Sequence, residues 1–404
     1  MIGFTEHWNE YLERIPAKLQ DLYFREEYVR LYETESEKAC CFVYQNGDSI
    51  LLFPFLRRAF KYKGNTYFDF ETAYGYGGPV SNDHNEVFMT AALQAMTDKA
   101  KAENYVCGFI RFHPLLENWD CFDKVGHLIQ DRKTIAIDLT GGIEATWMNE
   151  IHTKNRNVIK KGEKNGLEFV VDNDFTYLKE FEQLYNSTMD RLEADGFYYF
   201  DPKYYDQLKD TIQNRFLGIV IHEDKVVAGA IFFYQLPYGH YHLAGSDKVS
   251  LKLSPNNFLL WGAARELINR GVEHFHLGGG TDGSEENSLY QYKCKFSKHE
   301  YQFILGKMIF NPSLYDGGTA RVTDIVALRV RPALYAGHGS YGRGSGSGYR
   351  YQAQPLHCGE QVADFFPPCV PFLREAGFRK LELSGLQLLR PAERTVPAGS
   401  RSHP

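Results

Sequence analysis

The sequence predicts an α/β protein in which one mixed-sheet unit occurs twice, followed by a C-terminal stretch of different character. Three observations predict it: a repeated order of elements, enough apolar residues for more than one core, and an abrupt change in basic-residue usage near Asp316. From Ala39 to Phe112 the pattern is strand, tight turn, strand, strand, small-residue loop, long amphipathic helix and strand. Phe216 to Leu277 repeats that order. The expected units are residues 1–145 and 146–312, with residues 313–404 as an atypical Gly/Arg-rich tail.

In the first copy the turn is Gln45-Asn46-Gly47-Asp48, the loop runs from Ala73 to Pro79, the helix starts near Asn85, and Val106 to Phe112 is the strand it empties into. The second copy opens with Gly166 to Val171, whose alternation suits a strand. Phe175, Leu178, Phe181, Leu184, Tyr185, Met189 and Leu192 then recur at helical spacing, giving a helix over Phe175 to Ala194. Asp201 reads as an N-cap and Pro202 as the first turn of a helix reaching about Asn214. Leu217 to Ile221 and Val226 to Tyr234 form a hairpin about His222-Glu223-Asp224-Lys225, and Tyr238 to Ala244 follows. Asn256 to Arg270 is the long helix, Glu273 to Leu277 the next strand, Tyr290 to Phe296 a short basic helix, and Tyr301 to Leu305 a last strand.

Composition bounds the function. With 404 residues, 43 % hydrophobic and 24 % charged, the chain reads as soluble and long enough for two or three domains. No run of about 18 apolar residues occurs, so no integral membrane segment is expected. The first residues lack the basic patch and apolar stretch of a signal peptide, which points to a cytoplasmic location. The seven cysteines include no CxxC spacing and are odd in number, so neither a disulfide framework nor a zinc site is expected. Residues 1–316 hold 34 basic and 45 acidic residues and 22 of the 23 lysines; residues 317–404 hold one lysine, ten arginines and six acids. The stretch Gly342-Arg343-Gly344-Ser345-Gly346-Ser347-Gly348 is too poor in apolar side chains to offset its ordering entropy. The tail, expected to be partly disordered, reads either as a natural flexible extension or as foreign sequence joined to an enzyme.

A loop and a helix N-terminus between two central strands are how the GNAT acyltransferase fold builds its donor site, because unpaired N–H groups and the helix dipole favour a phosphate or an oxyanion. Here that turn reads Leu251-Lys252-Leu253-Ser254-Pro255-Asn256-Asn257. It has no glycine and Pro255 removes a donor, so Asn256 and Asn257 suit one phosphate while the usual coenzyme A cradle is weakened. Six ordered blocks, Tyr74-Gly75-Tyr76-Gly77-Gly78-Pro79, Lys154 to Lys161, Thr188 to Arg191 with Tyr198-Tyr199-Phe200, Leu253 to Asn257, Phe275 to Gly280 and Tyr292-Lys293-Cys294-Lys295-Phe296, resemble the FemABX-like aminoacyltransferases. The resemblance covers about residues 1–312. It implies two tandem GNAT-like domains with mixed sheets and transfer of an amino acid from aminoacyl-tRNA to an amine of a nucleotide-linked or lipid-linked cell-wall precursor. The chain lacks the long charged coiled-coil arm of some members, and relatives among envelope polysaccharide enzymes leave donor and acceptor open.

Amine attack on an activated ester or thioester needs alignment, a proton relay and oxyanion stabilisation. Lys293 and Lys295 match the basic block that follows the glycine turn Gly278-Gly279 in the resembling family, and are the expected catalytic pair. Arg156, Lys160 and Lys164 lie at i, i+4 and i+8, so one helix face can meet tRNA or nucleotide-sugar phosphates. Arg191 with Tyr198 and Tyr199 suits an acceptor diphosphate, and the Tyr74-Gly75-Tyr76 loop allows close backbone approach. His240/His242 and His274/His276 each share a strand face, but no carboxylate stands at a compelling spacing, so no metal is expected. No cofactor is expected to bind tightly, the acyl donor being aminoacyl-tRNA or acyl-CoA, and no DNA partner is expected. Three functions follow: acyl or aminoacyl transfer to an envelope precursor, CoA-dependent N-acetylation of an amino sugar in surface polysaccharide synthesis, and catalytically silent binding of a nucleotide sugar.

Overall fold

Alternation along the strands decides the layers. The computed structural model describes residues 2–194 and 196–317, and the expectations for residues 318–404 lie outside the described residues. The first repeat comprises β1 (Ile2–Thr5), α1 (Asn9–Leu12), α2 (Glu26–Arg30), β2 (Glu37–Asn46), β3 (Ser49–Tyr62), β4 (Asn65–Glu71), β5 (Val80–Ser81), α3 (Glu86–Ala102) and β6 (Tyr105–Arg111). Then come β7 (His127–Asp138), α4 (Gly142–Ala145) and α5 (Thr153–Lys164). The second repeat comprises β8 (Glu168–Asp172), α6 (Leu178–Arg191), α7 (Pro202–Thr211), β9 (Arg215–His222), β10 (Lys225–Gln235), β11 (Tyr238–Ser246), α8 (Pro255–Asn269) and β12 (His274–Gly279). After it lie α9 (Ser288–Lys293), β13 (His299–Ile309) and α10 (Pro312–Gly317).

The strands form one 13-stranded sheet in the order β1-β2-β3-β4-β6-β13-β7-β12-β11-β10-β9-β8, with β5 against β3. Both repeats have the same connectivity. An antiparallel hairpin leads to a third strand, the chain crosses by a long helix, and the next strand returns parallel to the third: β4 beside β6, β11 beside β12. The tight turns fall where expected, with Gly47 at φ +61° in one and Glu223 and Asp224 at +48° and +59° in the other. β7 and β13 cross over between the halves. β7 pairs with β12 of the second repeat, β13 pairs with β6 of the first, and the two pair with each other from His127–Lys307 to Ala136–His299.

Three clusters fill the two faces of this sheet. Leu51 and Phe53 of β3 point to α3, packing with Phe88, Met89, Leu93 and Met96, while Ile50 and Leu52 point to the opposite face. In the second repeat Phe216 and Phe232 pack under α8 with Leu259, Leu260 and Ala263, while Leu217, Ile231 and Phe233 point the other way. The opposite faces of both halves share one core, filled by the N-terminal segment through Trp8, Leu12, Phe24 and Tyr28 and by α6 and α7 through Phe181, Tyr185 and Tyr205. Burying each of these large side chains contributes about 1.5–3 kcal/mol. The N-terminal segment is thus a strap between the halves.

The structure departs from the sequence reading in four places. β7 was not anticipated, because His127 to Gln130 are exposed and polar or unalternating; pairing to β13 and β12, not local pattern, makes it a strand. β13 runs from His299 to Ile309 rather than Tyr301 to Leu305 for the same reason. α6 starts at Leu178, since Phe175 takes a φ of +58° and the Asp172 carboxylate accepts the Tyr177 N–H just before the helix. α9 starts earlier, at Ser288, because the Asn287 side chain caps it by accepting from the N–H groups of Leu289 and Tyr290. Among the described residues no helix is long and apolar enough to cross a membrane, and Cys40, Cys41 and Cys107 are buried free thiols.

α6 lies directly on β11. A Cβ at Gly245 would stand 2.4 Å from the Tyr185 nitrogen and 2.5 Å from the Leu184 carbonyl carbon, both backbone atoms that cannot turn aside. Gly245→Ala should therefore lower unfolding free energy by about 1–3 kcal/mol or more. An unchanged urea midpoint would show that α6 is not held on the strand.

Candidate active site

The parallel pairing of β11 with β12 stops at His240 and His276, although β11 continues to Ser246 and β12 to Gly279. Beyond that point the facing edges have no strand partner in each other, and α8 begins at Pro255 beside the gap. The equivalent position in the first repeat is stitched shut. The Thr72 N–H donates to the Phe109 carbonyl, the Arg111 N–H to Thr72 Oγ1, and the Gly77 N–H to the Arg111 carbonyl at 2.7 Å. Asn118 Nδ2 then ties down the Gly77 and Pro79 carbonyls. The two repeats thus differ at this notch: the first is bridged beyond the end of its strand pairing, whereas in the second the pairing of β11 with β12 ends at His240–His276.

Lys293 and Lys295, expected to act together, part company. Lys293 is fully buried and its Nζ donates to the Gly279 carbonyl at 2.7 Å, at the end of the β12 edge. Burial first, and the nearby Arg132 charge second, hold its amine well below the usual lysine range. Lys295 is exposed, and its carbonyl accepts from the His152 N–H and Asn155 Nδ2. Gly278 has φ +77°, and a Cβ at Gly279 would meet the Lys133 carbonyl at 2.7 Å, so the glycine turn is required by the approach of β7.

Behind the notch stands a group that the sequence did not bring together. Asp21, from the strap, is fully buried, and its Oδ2 accepts from His113 Nε2 and His240 Nε2, each at 2.7 Å. Burial would raise this carboxyl, but His240 and His113 outweigh it and hold it well below the carboxylate range. Burial pushes His113 down, His276 well down and His242 to about 3, with His240 contributing to each. His240 Nδ1 and His276 Nε2 are buried with no hydrogen-bond partner among the described residues. The ligand atoms of Asp21, His113 and His240 lie within 4.8 Å of one another, close enough for a metal ion. The tautomer argues against one: His113 Nδ1 accepts the Leu116 N–H, so the ring proton sits on Nε2, where a metal would displace it and leave an imidazolate. Asp21 and His113 gave no sequence signal beyond the position of His113 directly after a strand.

The remaining expected site residues fall into three groups. Asn256, Arg191 and Gly279 border the notch: Asn256 Nδ2 donates to Ser246 Oγ at 3.2 Å with its Oδ1 buried and unpartnered, and Arg191 reaches the Ser246 carbonyl at 3.3 Å. Tyr74, Gly75 and Tyr76 line the seam between halves. The Tyr74 carbonyl accepts from Tyr28 Oη, the Tyr76 ring lies 5.0 Å from His276, and Gly75 at φ +93° lies against the Tyr23 ring. The others are occupied by structure. Arg156 donates to the carbonyls of Trp147, Met148 and Ile151, and Asn257 Nδ2 to Asn155 Oδ1 at 2.6 Å. Tyr198 is buried, with its carbonyl taken by Tyr185 Oη; exposed Tyr199 bonds Asp190 at 2.8 Å; Lys160 lies over Trp147.

Residues 151–293 match the family model of the acetyltransferase (GNAT) domain. The chain thus carries an acyltransferase domain, and the matched segment contains the point where β11 and β12 part. No curated protein matches the chain by sequence. The fold is similar to the crystal structure of FemX, at 14 % identity and a TM-score of 0.62, over 78 % of this chain and 98 % of that one. It is also similar to L-PGS from Bacillus licheniformis (14 %, TM-score 0.51, 80 % and 96 %) and to a conserved protein of unknown function from Bacteroides thetaiotaomicron (11 %, TM-score 0.50, 76 % and 100 %). The expected fold class, α/β with two tandem GNAT-like units and mixed sheets, is the one observed.

Two predictions follow from the buried histidines and Asp21. In the unfolded chain His113, His242 and His276 take up protons near pH 6.5, whereas the folded state keeps them neutral to lower pH. The unfolded state then binds more protons, so stability should fall as pH drops below about 6.5, by up to roughly 1.4 kcal/mol per pH unit for each histidine. Asp21 adds a loss of the same sign below its unfolded value of 3.8. Urea titrations at pH 7.5, 6 and 5 giving one midpoint would contradict this. Asp21→Ala, which leaves both imidazole donors without their acceptor, should cost about 3 kcal/mol or more at pH 7.5 by the same measurement.

Proposed function

We propose that the protein is an N-acyltransferase with one reaction site, the notch between β11 and β12, and that it transfers an aminoacyl or acyl group to an amine of a cell-envelope precursor. The observation that carries this reading is the contrast between the two repeats: strand pairing that ends at His240–His276 within the matched acetyltransferase segment, against an equivalent position bridged by Thr72, Gly77 and Asn118. A division into units at 145/146 then separates two tasks, with the second repeat holding the donor and the first, together with the strap, holding the acceptor. Peptide N–H groups beyond His240 and His276, where β11 and β12 no longer pair with each other, suit the oxyanion formed when the amine attacks the donor carbonyl. Lys293, whose amine burial holds well below the usual lysine range, suits acceptance of the proton that the attacking amine releases. The buried, unpartnered nitrogens of His240 and His276 offer the acceptor amine a polar partner at the root of the notch.

The aminoacyl reading rests on the resemblance to FemABX-like enzymes and the fold likeness to FemX; the envelope precursor, nucleotide-linked or lipid-linked, and the aminoacyl-tRNA donor come from it. A second reading, acetyl transfer from acetyl-CoA to an amino sugar, is favoured by the acetyltransferase description of the matched domain. Ser254 to Asn257 weigh against it: Pro255 opens α8, Ser254 makes no side-chain cap and Asn257 is committed to Asn155.

Calorimetry with acetyl-CoA and with a nucleotide-linked cell-wall precursor separates the readings. Precursor binding without acetyl-CoA binding supports aminoacyl transfer from another donor, saturable acetyl-CoA binding supports the acetyltransferase, and binding of neither removes both. Lys293→Met keeps the buried volume while deleting the amine. It should lower turnover by about 100-fold or more with a change of less than about 1.5 kcal/mol in stability. Unchanged turnover would remove Lys293 from the reaction.

A further inference from the structure

We propose that the face made by residues 142–164 and 247–253 is a docking surface for an anionic lipid bilayer. These two stretches hold seven lysines and arginines against four acids, a balance of +3, while residues 1–316 as a whole carry 34 basic and 45 acidic residues, a balance of −11. Lys154, Lys160, Lys161 and Lys164 of α5 are all exposed, as are Lys248 and Lys252 in the turn before α8. The pieces are contiguous. A Cβ on Gly162 would stand 3.6 Å from the Leu253 carbonyl, which sets the turn against α5, and the Arg156 guanidinium binds three carbonyls of the 147–151 segment. Among these lysines stand large apolar side chains in water: Met148 is 61 % exposed, Val249 74 % and Ile143 38 %.

Lysines alone would attract any polyanion, and the other residues decide which. Arg156, the one side chain here able to grip a phosphate in bidentate fashion, is spent on backbone carbonyls, and the Trp147 ring packs at a tilt against Trp261, with centroids 4.7 Å apart. What remains is chiefly a set of lysine point charges, with the exposed His152 ring held through its Nδ1 by the Lys154 N–H, together with exposed methionine, valine and isoleucine. Nucleic acid has no use for those apolar tips, whereas a bilayer removes them from water while its anionic headgroups meet the lysines. The surface lies on the same repeat as the notch, since α5 packs on α8 through the Asn155–Asn257 bond.

The full-length protein should co-sediment with vesicles of 70:30 phosphatidylcholine and phosphatidylglycerol at least about tenfold more strongly than with pure phosphatidylcholine, and less so as salt rises. Lys161→Glu with Lys164→Glu should reduce binding about tenfold or more, and Met148→Ser with Val249→Ser several-fold, both at wild-type melting temperature because every changed side chain is exposed. No preference for the anionic vesicles, or no loss in either double variant, overturns the proposal. So does tighter binding to a short RNA duplex that the Met148/Val249 variant leaves intact, which would make this a nucleic-acid face. Vesicle binding requires no turnover, so failure here leaves the transferase reading standing, and failure of turnover leaves this one standing.

Discussion

Everything in the centre of this protein depends on one buried carboxylate. Asp21 reaches from the N-terminal strap and accepts one imidazole N–H from His113, just beyond the last strand of the first repeat, and one from His240, at the last register pair of β11 with β12. A charge taken fully out of water is costly unless hydrogen bonds compensate it, and here the compensation comes from both halves at once. The strap therefore cannot leave without stranding two histidines, and neither half can shift without stranding the carboxylate. Around this node the rings of Tyr23, Tyr76, His113, His240 and His276 pack at centroid distances of 4.7 to 6.0 Å, which fixes the root of the notch where the two strands part.

The exchange of β7 and β13 serves the same end. By lending one strand to each other's sheet, the halves share backbone hydrogen bonds instead of only side-chain contacts. A rigid seam lets the two repeats diverge in use. In the first, Thr72, Gly77 and Asn118 close the gap after β4 and β6, and the same loop turns Tyr74 and Tyr76 toward the shared core. In the second the strands part at His240 and His276, and a buried lysine stands at the end of β12. A relay of hydroxyls, Tyr32 to Tyr204 at 3.0 Å and Tyr204 to His242 at 2.7 Å, continues the polar lining between the halves.

Much of the fold was legible in the sequence because it is local. Period-two alternation and turn residues marked both hairpins, Asp201 caps its helix as expected, and the helix expected to start near Asn85 is capped by that residue, both side chains accepting from the N–H two residues on. The glycine turn and the lysine block after it were legible as motifs. What the motifs did not state was where each side chain within them would lie. Lys293 and Lys295 are two residues apart on a short helix end, so one faces the core and one faces water, and no spacing rule states which. Arg156 and Asn257 look like phosphate ligands in a sequence, yet both are consumed by backbone and helix-packing bonds that exist only once α5 meets α8.

By itself, then, the sequence determined the repeated α/β unit, the expected absence of a membrane-spanning helix and the candidate region for acyl transfer, all of which follow from patterns within a few residues. Only the tertiary structure decided which strand pair is bridged beyond its last register pair, which lysine is buried, and that Asp21 joins His113 to His240 across 92 and 219 residues of chain. The physical reason is range. Propensity and periodicity act between neighbours, whereas desolvation, tautomer and strand exchange are set by atoms that sequence keeps far apart and packing brings within 3 Å.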